Sequence, residues 1–508
     1  MAKKKKTKKY GPVFIIFIIL AILSILSLLF SVLNIEAYKT VIANNTLESQ
    51  LVTVRNIISI DGIQYLFGNI VNNFKNFEPL VLFIIFLLGL GICERSGLID
   101  AIISPFKKIK INVVIFITLF LGIIASFFGD ISYIVLIPLT GVIYKYLDKN
   151  PTLGILTAFI GITIGYGTGI IFNYNDHLIG TLTQASATLE VDKNYKFSLL
   201  SNLYIMWFST LLITCLGSIF INKFLAPKIN KKYEYEKEEL VMDKDAKKVS
   251  MIAFFVTVLF ILYFILPINL PFSGILLDKN STRYIDQLFG SNSPFGNGII
   301  VIISSVFTLC GFIYGKKSGN IKNSHDFSLG LSKSFENLGF LFVLLFFASQ
   351  IPAIVEWTNL GTVIGARLIE FIGSLQLSGI LLIVLFILIT IIISILIPDT
   401  LTKWELMSPT IVPLFMQANI TPNFVNFIFK IADSIGKCFS PLFVYFIVTL
   451  AFLEKYRDKD SERYQISYFG TYKIILPVML VMAIIWILII VFWYLIGFPI
   501  GVGNYSTL

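Results

Sequence analysis

The sequence predicts an all-α polytopic membrane protein with about nine transmembrane helices, two re-entrant helical hairpins, and inverted repeats that contain broken helices. Of its 508 residues, 56% are hydrophobic and 14% are charged, which leaves too little polar surface for soluble domains. Apolar stretches of about 18 to 25 residues recur along the chain, and each can cross a hydrocarbon core of roughly 30 Å as a helix. Two series of segments also resemble each other in the same order.

The formal charge of +10 is better explained by membrane orientation than by nucleic-acid binding. Much of it lies in the leading run KKKKTKK and in short loops, such as the one that contains Lys107, Lys108 and Lys110. Cytoplasmic loops carry an excess of Lys and Arg, so we expect a multi-pass protein of the cytoplasmic (inner) membrane with a cytoplasmic N-terminus. The apolar run 12–34 is too long for the core of a signal peptide and no A-x-A site follows it, which predicts an uncleaved first span.

Hydropathy divides the chain into six segments. The segment 1–77 holds a basic tail, the first helix and an external stretch whose part IQYLFGNIVNNFKNF is expected to lie along the membrane interface. The others are a first repeat with hairpin 1 (78–222), a cytoplasmic linker (223–249), connecting helices (250–332), a second repeat with hairpin 2 (333–452), and a cytoplasmic loop with the last helix (453–508). The predicted spans are 12–34, 79–93, 151–172, 197–220, 251–270, 298–314, 339–355, 422–452 and 474–496.

Two pairs of apolar stretches could each form either two full spans or one re-entrant hairpin. The first pair, 112–128 and 131–146, is joined by Gly129 and Asp130, and the second, 378–397 and 405–416, flanks the polar tip PDTLTKW. Hydropathy alone does not separate the two possibilities. Non-helical backbone inside a membrane must line protein or a cavity, so re-entrant tips would indicate a functional site.

The two repeats match in three successive pieces. PLVLFIIFLLGLGICERSGLID precedes FGDISYIVLIPL and KNPTLGILTAFIGITIGYGTG, whereas FLFVLLFFASQIPAIVEWTNLG precedes PDTLTKWELMSPTIVPL and NITPNFVNFIFKIADSIGKCFSP. Chance similarity between apolar helices is the alternative. On the predicted topology one repeat begins outside and the other inside, and inverted repeats with interrupted helices are typical of alternating-access transporters.

Four acids lie in or beside apolar runs, where a carboxylate usually faces a cavity, a cation or a proton pathway. Asp433 precedes Gly436 and Pro441, which we expect to break the helix and release carbonyl groups; a structural ion pair with Lys430 or Lys437 is the alternative. Asp176 follows the glycine-rich GYGTG at the matching break and could instead be an external loop residue. Asp130 and Asp399 lie at the two tips, where capping of the next helix is the alternative.

Lys403 and Trp404 place a cation beside a large aromatic face, which suits a solute with a carboxylate and a ring. Interfacial anchoring would explain the same pair elsewhere in a membrane protein. The four cysteines show no C-x-x-C spacing, so neither a disulfide framework nor a zinc site is indicated. We expect no cofactor, and a proton or sodium gradient as the driving force.

These residues together resemble the AbgT family, the p-aminobenzoyl-glutamate transporters, over nearly the whole chain. The matching pieces are ERSGL, GDISYIVLIPL, VEWTNLGT, TKWELMSPTIVPL, and KIADS followed by Pro441. The resemblance implies a homodimer with nine spans and two hairpins per subunit, driven by an ion gradient. It also implies substrates such as p-aminobenzoyl-glutamate, with export of sulfonamide antimetabolites in some members.

The resemblance also assigns functional positions. It places the functional acids at Asp176 and Asp433, the tryptophan at Trp404, and two prolines, which we expect to break helices, at Pro422 and Pro441. Three positions depart from the family pattern: Lys430 replaces an Arg, Leu401 a Ser, and Ser394 an Asn. These departures leave the substrate open, and sodium, if bound, is expected near Ser394 and Asp433.

The mechanism expected from these residues is coupled transport. Asp433 or Asp176 changes protonation as the cavity alternates sides, while Lys403, Lys430 and Trp404 contact the solute. An intramembrane aspartyl protease is disfavoured because the acids lie in NYND and KIAD rather than YD and GxGD contexts, so no enzyme is expected. A channel function remains an alternative, and the alternative within transporters is a sodium-coupled carboxylate importer.

Overall fold

The computed structural model describes residues 11–43, 46–229, 240–268, 270–456 and 467–508. The basic tail 1–10, the middle of the predicted linker (230–239) and most of the predicted loop before the last helix (457–466) lie outside the described residues. Up to the linker, the elements are α1 (Pro12–Val32), β1 (Glu36–Ala43), β2 (Thr46–Thr53), α2 (Ile60–Lys75), α3 (Glu78–Ser96), α4 (Leu98–Ile103), α5 (Ile111–Ala125), α6 (Ile131–Tyr146), α7 (Pro151–Gly165), α8 (Tyr174–Glu190), α9 (Leu203–Phe220) and α10 (Ala226–Ile229).

After the linker the described chain is again helical, apart from its connecting turns. The elements are α11 (Lys244–Ile265), α12 (Tyr284–Phe289), α13 (Pro294–Ser318), α14 (Ser324–Lys333), α15 (Gly339–Ala348), α16 (Gln350–Thr358), α17 (Leu360–Ser374), α18 (Gly379–Leu396), α19 (Thr400–Gln417), α20 (Pro422–Phe439), α21 (Val444–Lys455) and α22 (Tyr468–Ile496). One π-helical turn, Ile221–Leu225, joins α9 to α10.

Nine helical elements in the described ranges are long and apolar enough to cross a membrane, which confirms the predicted all-α polytopic fold. Seven of the nine match predicted spans. The other two, Ile111–Phe128 and Gly379–Leu396, are the first arms of the predicted hairpins. Conversely, the predicted span 151–172 contains only the 15-residue helix α7, and the predicted span 422–452 is the pair α20 and α21, bent by 43°.

The polar stretch before α3 differs from its prediction in two ways. Its first part forms a β-hairpin, β1 paired antiparallel with β2, and β1 packs against α17 and α19. Its second part, α2, was expected to lie along the interface. It instead runs on into α3 as one element of 37 residues, about 55 Å at 1.5 Å per residue and longer than the hydrocarbon core.

Each predicted hairpin tip is a short interruption between two helices. At the first tip, Gly129 has φ 57° and ψ −131°, a backbone conformation that glycine adopts without a side-chain clash. At the second tip, residues 397–399 separate α18 from α19, and Asp399 accepts a hydrogen bond from the backbone N–H of Thr402 at 2.7 Å, which caps α19.

A helix break follows each hairpin at an equivalent place. Residues 166–173 separate α7 from α8, and residues 440–443 around Pro441 separate α20 from α21. Both breaks were predicted, but Gly436 does not contribute to the second one, because α20 is continuous through it. A Cβ atom on Gly436 would lie 2.4 Å from Ser394 Cβ, so this glycine allows α18 and α20 to pack closely. Pro422 likewise begins α20 rather than breaking it.

The two halves exchange helices across the centre of the molecule. The arms α5 and α6 both pack on α7, as α18 and α19 both pack on α20, and α7 packs on α20. The helix after each break joins the opposite half: α8 packs on α19 and α20, whereas α21 packs on α6 and α7. This exchange brings both tips and both breaks to one region.

Candidate functional site

One cavity of about 700 Å³ lies where the two tips meet the two breaks. Its volume is within the range of roughly 300 to 1,000 Å³ that small-molecule sites occupy. Its walls include residues 127–131 and 396–402 of the tips, Tyr166 and residues 173–175 of the first break, and residues 442–445 of the second. Parts of α3, α12, α13, α16 and α17 complete the walls.

The acids of the two tips reach this cavity directly. Asp130 and Asp399 both line it, and both are exposed. Asp399 also caps α19, so the capping role and the cavity position coexist at that residue. Asp130 immediately precedes α6, but its side chain forms no capping hydrogen bond to that helix. The walls also carry Glu78 and Glu356, so the lining is rich in carboxylates.

Asp433 lies behind the cavity wall in a cluster with two lysines. Its Oδ1 atom is 2.5 Å from Lys403 Nζ, and its Oδ2 atom is 3.3 Å from Lys437 Nζ. Thr400 donates to Oδ2 at 2.6 Å, and Ser394 lies 3.3 Å from Oδ1. The cluster joins α18 and α19 of the second hairpin to α20.

Lys437 is the charged member of this cluster that lines the cavity, together with Thr400. Its ammonium donates to Thr400 Oγ1 at 2.6 Å and lies 3.7 Å from the centre of the Tyr166 ring. Tyr166 itself accepts a hydrogen bond from Asn175 of α8. Lys437 therefore contacts both the second tip and the first break.

Asp176 forms an ion pair with Lys430 rather than facing open space. The two side chains are 9% and 4% exposed. Asp176 also closes a capping box at the start of α8, because it accepts from the backbone N–H of Asn173 while Asn173 accepts from that of Asp176. The pair links α8 of the first half to α20 of the second, so Asp176 is not an external loop residue.

Trp404 is fully buried between the halves. Its Nε1 atom donates to Thr183 Oγ1 at 3.0 Å, and its ring centre lies 4.3 Å from that of Phe429. None of Trp404, Lys403 and Lys430 lines the cavity. Their predicted contact with the solute stays a prediction.

Sequence reasoning did not assign a binding role to Lys437 or Tyr166. Lys437 lies four residues after Asp433, a spacing that places both side chains on one face of a helix. That spacing had indicated Lys437 only as one alternative ion-pair partner. Tyr166 lies in the glycine-rich GYGTG, whose glycines predicted the break but not the direction of the tyrosine side chain.

Comparison with known proteins shows which family the chain belongs to. The chain matches the AbgT putative transporter family over residues 7–508. This chain belongs to the AbgT family. It is therefore a multi-pass membrane transporter and not an enzyme, which rules out the protease alternative. The family indicated by the sequence motifs is confirmed.

Similar individual proteins come from three bacteria. The p-aminobenzoyl-glutamate transport protein of Escherichia coli is 27% identical over 472 residues, which are 92% of this chain and 90% of that protein. The YdaH transporter of Alcanivorax borkumensis is 24% identical with a TM-score of 0.48, covering 97% of this chain and 100% of that one. MtrF of Neisseria gonorrhoeae, from work on a class of antimetabolite efflux pumps, is 25% identical with a TM-score of 0.48, covering 98% of each chain.

Proposed function

We propose that this AbgT-family protein transports p-aminobenzoyl-glutamate or related aromatic carboxylates, with efflux of antimetabolites such as sulfonamides within the same substrate range. Transport is proton-coupled and proceeds by alternating access. The substrate is suggested by the E. coli relative, which is a p-aminobenzoyl-glutamate transport protein.

The observation that carries this proposal is the cavity where both tips and both breaks meet. A drug-sized solute with a ring and carboxylates fits its volume of about 700 Å³. Phe127, Phe289 and Phe443 supply aromatic walls, and Lys437 supplies a cation. In alternating-access transporters, interrupted helices form the central substrate site, around which one repeat moves against the other.

Lining residues also suggest which side the cavity faces. Glu78 at the start of α3 and Asn297 near the start of α13 belong to the side that the Lys-rich loops predict to be external. With a cytoplasmic N-terminus in the inner membrane, the present conformation is then outward-facing. The basic ends of the same helices, with Arg95 in α3 and Lys316 and Lys317 in α13, would lie at the cytoplasmic surface.

Asp433 and Asp176 are the proposed coupling acids. Each is held by lysine: Asp433 on α20 pairs with Lys403 on α19, and Asp176 on α8 pairs with Lys430 on α20. A carboxylate that loses its cation inside a membrane gains a proton more readily. Movement of the second hairpin against α20 would separate Asp433 from Lys403, its nearer cation, and leave only the longer pair with Lys437, which would make Asp433 easier to protonate as the site changes side.

Two further features belong to the proposal. The transporter functions as a homodimer in the lipid bilayer, as the family resemblance implies. The driving gradient is protons; a sodium gradient, with the ion near Ser394 and Asp433, is the alternative that the experiment separates. Within the described residues, no group of three or more His, Cys, Asp or Glu side chains is arranged to hold a metal ion.

The test is uptake of labelled p-aminobenzoyl-glutamate into proteoliposomes, with proton and sodium gradients imposed separately. Saturable uptake driven by the proton gradient and lost in Asp433→Asn and Asp176→Asn is the expected result. Asp61→Asn, at an exposed acid of α2 outside the cavity, is the control and should transport normally. Sodium-driven uptake would replace proton coupling with the importer alternative, and no uptake under either gradient would overturn the substrate.

A further inference from the structure

Lys437 supplies the only positive charge among the described residues that line the cavity. Its side chain is 4% exposed, and its ammonium lies between Asp433 on one side and the cavity on the other. The tip acids Asp130 and Asp399 line the same cavity as Lys437. Neither forms an ion pair with it in the part of the chain that the structure describes.

The buried cluster behind the cavity contains more cations than anions. Asp433 is already paired with Lys403 at 2.5 Å and accepts a hydrogen bond from Thr400. Lys437 is the second lysine on the same carboxylate, at the longer distance of 3.3 Å. Two lysines against one carboxylate leave one positive charge in excess, and a buried charge without a full partner is costly. A buried lysine with excess charge in a membrane protein is therefore expected to bind an anion during function.

An aromatic face lies next to this surplus charge. The ring of Tyr166 is 3.7 Å from Lys437 Nζ, measured to its centre, and Tyr166 also lines the cavity. An ammonium beside a ring can bind a carboxylate of the solute, and the ring can pack against an aromatic part of the same solute. An aromatic carboxylate matches this pair of features.

We propose that Lys437 and Tyr166 form the solute-binding pair, in which Lys437 binds a carboxylate of the solute and Tyr166 packs against its ring. This inference rests on the proposed function. When the solute carboxylate arrives, Asp433 keeps Lys403, so neither buried acid loses its only cation. Because Lys437 also donates to Thr400, solute binding acts on the second tip directly.

The experiment compares p-aminobenzoyl-glutamate with its two monocarboxamides, in which one carboxylate is replaced by an uncharged amide of nearly the same shape. Equilibrium binding is measured on the purified full chain in detergent. In the unmutated protein, at least one carboxamide should bind about 10-fold more weakly than the diacid. In Lys437→Gln the diacid should bind about 10-fold more weakly, and the difference between acid and amide should disappear. Lys437→Arg is the control and should keep the difference.

A Lys437→Gln protein that still discriminates acid from amide would overturn the inference. Discrimination that survives removal of the lysine does not arise from contact between Lys437 and the ligand carboxylate. If Lys437→Gln is not recovered folded, Tyr166→Leu gives the second test. The unmutated protein should bind p-aminobenzoate more tightly than cyclohexanecarboxylate, because only the former has an aromatic ring for Tyr166 to pack against. Tyr166→Leu should abolish this preference; a preference that is absent in the unmutated protein or retained in the variant would refute the pair. An unmutated protein that transports the diacid without acid–amide discrimination contradicts only this inference, whereas one that neither binds nor transports it contradicts the proposed function.

Discussion

The Lys403 ammonium lies 2.5 Å from the Asp433 carboxylate, and both side chains are completely buried. Lys437 shares the same carboxylate at 3.3 Å, so a single acid balances two lysines. Removal of the acid and removal of the lysine should therefore have unequal effects on stability. Removing the acid leaves two buried cations side by side, whereas removing Lys403 leaves one acid with one lysine.

Asp433→Asn should therefore destabilise the protein more than Lys403→Met. Loss of one partner from a buried pair costs about 3 to 5 kcal/mol, and Asp433→Asn should fall in that range, with Lys403→Met clearly below it. Unfolding of the purified protein in mixed micelles, followed by circular dichroism, measures both. Equal destabilisation by the two variants would show that Lys437 does not compensate Asp433.

The pair of Asp176 and Lys430 predicts a different pattern, because it contains one charge of each sign. Asp176→Asn keeps a side-chain oxygen that can close the capping box, so its effect reports the charge alone. Asp176→Asn and Lys430→Met should each cost about 3 to 5 kcal/mol, and the double variant should cost less than the two combined. Additive effects in the same unfolding assay would mean that the two charges are not coupled.

Close packing of α18 on α20 makes Gly436 sensitive to a single methyl group. A Cβ atom there would lie 2.4 Å from Ser394 Cβ and 3.2 Å from the backbone of Ile391. Gly436→Ala should destabilise the protein by about 1 to 3 kcal/mol and reduce transport. The matched control is Gly373→Ala in α17, where no atom lies within 4 Å of the added methyl group, and it should be neutral or stabilising by up to about 1 kcal/mol. Similar effects at both glycines would contradict the packing explanation.

Hydropathy and turn residues were sufficient for much of this architecture. Apolar length located the spans, and the glycine-rich stretch after α7 and Pro441 located both breaks, because these signals are local in the sequence. Gly436 was misassigned because a glycine inside a helix indicates either a break or a close contact, and only the neighbouring helix decides between them. The β-hairpin was missed because its fold depends on packing against α17 and α19, which are more than 300 residues away.

Charge pairing was only partly predictable from the sequence: Lys437 does contact Asp433, as one alternative had it, but the nearest lysine of each acid was not located. The acids at Asp176 and Asp433 could be identified because a carboxylate in an apolar run is unusual. Their partners lie 254 and 30 residues away, and an ammonium at either distance gives no local signal. Lys430, expected as an alternative partner for Asp433, pairs with Asp176 because α8 crosses to the opposite half.

The burial of Trp404 separates a structural role from contact with solute. Its ring packs at a tilt against that of Phe429 and its Nε1 atom donates to Thr183, away from the cavity lining. Trp404→Phe removes that hydrogen bond and part of the packing, so we expect a loss of stability of about 1 to 2 kcal/mol with KM for the solute changed by less than about twofold. Trp207→Phe is the control: Trp207 is 46% exposed and donates to the Ile170 carbonyl at 2.7 Å. Trp207→Phe removes a comparable hydrogen bond at a residue that does not line the cavity, so KM for the solute should stay unchanged. A tenfold rise in KM for Trp404→Phe at unchanged stability would instead show that the solute reaches the tryptophan in another conformation, as the sequence had predicted.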